Sequence, residues 1–161
     1  FLAYAKTDAE FANFAKGNCQ ISNIFHTGDS IEATQFATQG FCNRDGDRVS
    51  GVSDDYFSLN VAKSFALDNG TEVVIGGDYI YYSDMMMHSN NDPFANQDGI
   101  SLLNLKAIVR FTSDIEVMLW VRNLNDESYY GTVFDTPLQD GKLNAYPREP
   151  RTYGLTVRKN F

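Results

Sequence analysis

No apolar run in this sequence exceeds five residues, a length reached at Phe1–Ala5 and Val117–Val121. A membrane-spanning helix needs about 20, so a helical span is excluded. Basic residues are also scarce: 13 Lys and Arg stand against 21 Asp and Glu, a formal net charge of −8. Nucleic-acid binding wants a cationic stripe that neutralises phosphates, and none is present. Cysteine is limited to Cys19 and Cys42, without Cys-x-x-Cys or the Cys/His spacing of a metal site. The pair is either two free thiols or one disulfide. An oxidising compartment favours the bridge, which by chain entropy would add about 3 kcal/mol. No basic segment followed by an apolar stretch opens the chain, so no signal peptide is read there. Phe1 instead begins inside an alternating apolar segment, as a piece of a longer chain would.

What is abundant is aromatic. Phe (12) and Tyr (9) dominate an aromatic fraction of 14% in 161 residues. Such residues favour strands and membrane interfaces over helical bundles. Hydrophobic periodicity is close to two, which predicts strands at Phe1–Phe11, Asp54–Leu67, Thr71–Ser83, Ser101–Phe111, Ile115–Leu124 and Thr152–Phe161. In the fourth, Leu103, Leu105, Ala107, Val109 and Phe111 share a face opposite Asn104, Lys106, Ile108 and Arg110. Two connections are tight, Asp68-Asn69-Gly70 and Thr112-Ser113-Asp114, the first with an Asn-Gly hairpin signal. Three are long: Ala12–Ser53, Asp84–Ile100 and Asn125–Arg151.

Long and short connections alternate strictly, so all the long ones fall on one end of a sheet. Structureless loops beyond ~12–15 residues are uncommon in compact domains. Strands of this length exceed the globular mode of ~5–6 residues but suit a tilted bilayer crossing of ~9–11. Outer-membrane barrels have short turns on one side and long loops on the other, so one architecture accounts for both features. Lys106, Arg110, Arg122, Arg158, Asp78 and Glu116 lie inside strands, mostly on the polar face. That face suits a wet lumen. A soluble β-sandwich binding module is the alternative that periodicity alone leaves open.

The C-terminal motifs decide between them. Asn123-Leu124-Asn125-Asp126-Glu127-Ser128-Tyr129 is followed by Pro147-Arg148-Glu149-Pro150-Arg151-Thr152-Tyr153-Gly154, and the sequence ends on Phe161. This resembles the last strands of TonB-dependent outer-membrane receptors, with their Asn-Leu-x-Asp-x-x-Tyr element and Pro-Arg-x-Tyr-Gly lead-in. The opening AYAKTDAEF is similar to strand ends of the same family. The position two before the terminal Phe departs from the usual aromatic or apolar choice, being Lys159. The resemblance implies an all-β fold: an antiparallel transmembrane β-barrel, of which residues 1–161 are the last six of 22 strands, with three long extracellular loops. It implies active import of a scarce small-molecule ligand, an iron–siderophore by default or a carbohydrate or cobalamin-like compound. The implied partners are outer-membrane lipid and the TonB-ExbB-ExbD complex, the latter through a plug segment with no counterpart in these residues. A passive porin-type or structural barrel is the alternative. In either reading the chain is not an enzyme and carries no cofactor. Within the resemblance, Cys19 and Cys42 would bridge inside the first extracellular loop.

Loop aromatics are the ligand-contact candidates: Phe36, Phe41, Phe94, Tyr129, Tyr130, Phe134 and Tyr146. Tyr79, Tyr81 and Tyr82 read as a girdle at the headgroups. Met85-Met86-Met87-His88 has ligands suited to monovalent copper, but adjacent residues in extended chain point to opposite sides. Contact with lipid, plug or a neighbouring loop is the reading taken, and no metal is assigned. Gly28-Asp29-Ser30 near His26 has the look of a hydrolase block but lacks an Asp-x-x-His partner. Asn43-Arg44-Asp45-Gly46-Asp47 alternates like a calcium loop, yet its twelfth position is Asp54 rather than Glu; a turn is preferred. Finally, Leu103, Leu105, Val109, Leu155 and Val157 are expected to face lipid, with Lys106, Arg110 and Arg158 inside. A one-residue slip would put each cation in hydrocarbon, at ~2–4 kcal/mol near the midplane.

Overall fold

The computed structural model describes residues 1–20, 30–139 and 141–160. The first elements are β1 (Leu2–Lys6), α1 (Ser30–Gln39), β2 (Asp55–Ala66) and β3 (Glu72–Tyr82). A two-residue strand, β4 (Met85–Met86), a 3-10 turn (Pro93–Ala95) and β5 (Asn96–Gln97) come next. Then follow β6 (Ile100–Arg110), β7 (Ile115–Arg122), β8 (Tyr130–Asp135), β9 (Leu143–Pro147) and β10 (Thr152–Lys159). Six strands form one antiparallel sheet in the order β1-β2-β3-β6-β7-β10. These are the six segments expected from period-two alternation, neighbouring one another in chain order. The sheet is open, with β1 and β10 as its edges, and these residues do not close a barrel.

The tight turns form where the turn chemistry allows them. Gly70 takes φ 80° after Asn69, whose side-chain oxygen accepts the Thr71 amide at 3.0 Å. Asp114 supplies φ 59° at the other short connection. The first strand is shorter than Phe1–Phe11. Its ladder stops at Lys6↔Asp55 because the partner chain before Asp55 has already turned into loop. Residues 7–11 keep the Thr7 N–H to Asp54 bond, one isolated bridge, Glu10↔Arg48, and the Gly46 N–H to Phe11 carbonyl bond, while the Phe11 ring packs on Phe14 at 4.8 Å.

The long connections are structured. The first contains α1, the second the β4–β5 pair, and the third the β8–β9 hairpin. Most of the described buried apolar residues lie in or beside these loops: Cys19, Cys42, Met86, Ala95, Ile100 and Val133. Met86, Ala95 and Val133 form one small cluster that joins the second loop to the third. The middle of the sheet has no covering layer among the described residues.

Register sorts the two faces. Val73, Val109, Val117 and Val157 align across β3, β6, β7 and β10. Another row runs Ile75, Ala107, Leu119 and Leu155; Leu103 pairs with Tyr79, and Leu105 with Gly77 and Val121. Leu103, Leu105, Val109, Leu155 and Val157 therefore share one face, as alternation required. Lys106, Arg110 and Arg158 take the other, where Arg110 bridges Glu72 and Glu116, each at 2.9 Å. Trp120 is also on the charged face, stacked over Gly154, where an added Cβ would come within 2.5 Å of its ring. Leu2, Val61, Ile75, Leu119 and Leu155 are all exposed on the apolar face. Contiguous exposed apolar surface beyond a few hundred Å² marks an interface rather than a free surface.

Aromatics mark the ends of that face. Tyr4, Phe57, Tyr79, Tyr81 and Tyr153 lie toward the long loops, and Phe65 near the short turns. From Val73 to Tyr81 the strand runs about 26 Å at ~3.3 Å per residue. An outer-membrane apolar band is about 25 Å tall. Tyr82 departs from the expected girdle. Next in sequence to Tyr81, it points to the opposite face and packs on Tyr56 at 5.1 Å.

Candidate functional site

The long loops meet over the charged face, and polar groups from distant parts of the chain tie them together. Cys19 and Cys42 form a disulfide, with Cα atoms 5.0 Å apart. Alkylation without reductant should label neither thiol, and both after reduction; intact mass reads the difference, and two labels before reduction would contradict the bridge. Below the disulfide lies Arg44, a guanidinium only 2% exposed. It pairs with Glu32 of α1 and with Asp47 at 3.0 Å, and donates to the Asn90 carbonyl at 2.9 Å. Asn90 and Asp92 are fully buried. The Asn90 side chain donates to the Cys19 carbonyl and accepts from the Asp92 amide; Asp92 caps the 3-10 turn by accepting from Phe94 N–H. Arg48 makes a second tie, to Asp84 at 2.8 Å and Asp54 at 3.1 Å. The Asp84 carboxylate, against a smaller opposing effect of burial and aided by Asp54, holds this guanidinium above its ordinary pKa. The first and second loops thus form one unit.

A cavity of about 400 Å³ opens under this cap. Its floor is Tyr82, Ile100 and Leu102, from the loop ends of β3 and β6; Met85 and Met87 wall one side, and Tyr129, Tyr130 and Arg148 another. Gln97, buried beside it, holds the third loop in place by accepting the Tyr130 amide at 2.8 Å. Aromatic faces, thioethers and one guanidinium suit a small ligand that is mostly apolar with an anionic or hydrogen-bonding edge.

Of the seven loop aromatics named as contacts, Tyr129 and Tyr130 line this cavity. Phe134 and Tyr146 stack on each other across β8 and β9 at 5.3 Å. Phe36 is on α1, Phe94 is exposed on the 3-10 turn, and the Phe41 ring lies 5.4 Å from the Lys16 ammonium.

The sequence motif has a structural role. Asn123, 5% exposed at φ 50°, donates to the Glu127 and Glu149 carbonyls and accepts the Glu127 amide. Asp126 accepts the Arg151 amide at 3.0 Å, and the Arg151 side chain reaches the Leu124 carbonyl at 3.4 Å. The Leu124 amide donates to Leu103. Pro147 closes β9, opposite Tyr130, and Pro150 precedes the start of β10. Asn123, Asp126 and Arg151 therefore clasp the top of β7 to the start of β10. Phe161, with His26, Gly28 and Asp29 of the hydrolase-like block, lies outside the described residues.

At the other motifs, several candidate ligand groups among the described residues are engaged elsewhere. Met86 lies in the apolar cluster with Met87 packed against it, and Met85 and Met87 also line the cavity. His88 accepts from Asn90 N–H and faces Asp135 at 3.5 Å. Asp45, Asp47 and Asp54 are spent on the Phe14 amide, Arg44 and Arg48, and Asn43 makes an Asx turn to Asp45. Cys19, Glu32 and Cys42 cluster closely, but both sulfurs are consumed by the disulfide.

No protein-family model matches the sequence, and no curated protein matches it either. Among solved structures, the fold is similar to the ferric preacinetobactin receptor BauA from Acinetobacter baumannii, with TM-score 0.53 and 20% identity. The match covers 70% of this chain but only 16% of that one, so the chain spans a small part of that receptor's length. At this identity the likeness is one of fold alone: a mostly antiparallel β segment similar to part of that receptor.

Proposed function

We propose that these residues form the last six strands of a 22-stranded TonB-dependent outer-membrane barrel, whose loops capture a small ligand for active import. The observation that carries this is the sheet itself. One face is apolar across six strands except at Lys63 and is rimmed by aromatics, the other carries most of the strand charges, and every long loop leaves from one end. Water on the apolar side would leave that surface unpaid for, whereas lipid covers it without a second protein layer. The likeness to part of a ferric siderophore receptor supports the same reading, with an iron–siderophore as the default ligand. Energy would come from TonB-ExbB-ExbD, acting through a plug segment outside these residues.

The cavity under the loop cap is the capture site in this account. Tyr129→Ala and Arg148→Ala in the intact gene product should each weaken ligand capture about 5–30-fold, the equivalent of ~1–2 kcal/mol for a lost aromatic wall or charge-assisted bond. Phe36→Ala should change it less than about twofold, since that ring does not line the cavity. Binding and uptake of radio-iron-labelled ferric chelates by whole cells measure both effects. Uptake that persists after the proton-motive force is collapsed would instead mean a passive pore.

A further inference from the structure

We propose that the apolar face seats one phospholipid of the leaflet at the short-turn end, with its acyl chain along a groove over Gly77 and its phosphate on Lys63. The inference goes beyond the transport reading but rests on its claim that this face meets lipid. The groove is open to the outside, measures about 480 Å³ and is lined in part by Leu59, Val61, Ile75, Leu103, Leu105 and Lys63. It exists because β3 interrupts its row of side chains on this face. Val73, Ile75, Tyr79 and Tyr81 are large, whereas Gly77, paired with Val61 and Leu105, has no side chain, and the Leu105 side chain leans over its backbone as one wall of the groove.

Lys63 is out of place by the rule that governs the rest of the face. It stands in the row of Leu59, Val61 and Phe65, opposite Ile75, where alternation calls for an apolar residue. Its ammonium lies 6.0 Å from the centroid of the Phe65 ring, so the side chain leans toward the short-turn end. Lys63 stands three positions before the end of β2 at Ala66, about 10 Å at ~3.3 Å per residue, within reach of the headgroup level. A lysine beside hydrocarbon is costly unless its charge meets water or an anion. An apolar channel that ends at a cation matches a fatty chain that ends at a phosphodiester. A neutral lipid would leave the ammonium unmatched, and a free phosphate would leave the groove unfilled.

The test uses the intact gene product, extracted in mild detergent, delipidated and mixed with phosphatidylglycerol, diacylglycerol or inorganic phosphate. Native mass spectrometry should show one retained phosphatidylglycerol and neither of the other two. Lys63→Arg should retain it like the parent. Lys63→Ala removes the cation and Val61→Trp fills the groove; each should lower the bound fraction at least about fivefold while the barrel still migrates as folded protein on unheated gels. Undiminished retention by folded Lys63→Ala, equal retention of diacylglycerol, or binding of phosphate alone would overturn the lipid seat and leave the barrel standing. A parent protein that shows no folded-barrel migration and no membrane extraction would overturn the transport reading, and the lipid seat with it.

Discussion

Leu105→Arg should abolish assembly in the outer membrane, whereas Lys106→Glu, one residue along, should assemble and alter only transport or capture. Leu105 sits in the middle of the apolar face, paired with Gly77 on one side and Val121 on the other. An arginine there would meet hydrocarbon at a cost of about 2–4 kcal/mol, a large share of a domain's net stability of ~5–15 kcal/mol. It would also fall against the bare backbone of Gly77, where the Leu105 side chain already makes close contact. Lys106 projects from the opposite face between Gly76 and Trp120, where an ionised side chain meets water in either sign. Heat-modifiable gel mobility of membrane-extracted protein distinguishes the two. Normal assembly of Leu105→Arg together with failure of Lys106→Glu would mean that the faces are inverted.

Arg44→Met should have the other large effect, on the loops and not on the strands. The substitution keeps roughly the same volume but leaves the part-buried Glu32 carboxylate without its guanidinium. Breaking a fully buried pair costs about 3–5 kcal/mol, and less here, because Glu32 still accepts the Gln20 amide and Asp47 is partly exposed. The bond to the Asn90 carbonyl goes too, and with it a link between the first and second loops. The disulfide still closes its own loop, so the expected result is a barrel that assembles normally, a loop cap cut by protease far faster than the parent, and ligand capture reduced at least tenfold. Protease resistance equal to the parent would show that the cap does not depend on Arg44.

The strands were legible because each buries or exposes one face alone, so alternation survives in the sequence. Their register followed from the same pattern: Leu103, Leu105, Val109, Leu155 and Val157 had one consistent side to occupy. The two short turns were legible for a local reason, since Asn69-Gly70 and Asp114 tolerate positive φ. The loops were not. Helix α1 leaves Ile31 and Phe36 exposed, so it has no apolar stripe to betray it. The β8–β9 connection takes positive φ at Leu138 (60°) as well as at Gly141 (77°), and only the glycine advertises a turn. Burial of Arg44 depends on Asn90, 46 residues away, and charge patterning cannot report a contact that distant. The aromatic candidates show the same limit. Sequence identifies rings in loops, but folding decides that Tyr129 and Tyr130 reach the cavity while Phe134 and Tyr146 satisfy each other. The Asn123–Arg151 motif is visible as a pattern; its clasp between β7 and β10 depends on the fold bringing residues 25 positions apart together.

Whether the apolar face meets lipid can be read residue by residue along β6. Nitroxide labels placed singly at residues 102 to 109 of the intact gene product, reconstituted in bilayers, report collision with oxygen and with a water-soluble nickel chelate. The account predicts alternation with period two: oxygen access high at 103, 105, 107 and 109, and nickel access high at 102, 104, 106 and 108. Nickel access that is equally high on both faces, or alternation of the opposite phase, would contradict it.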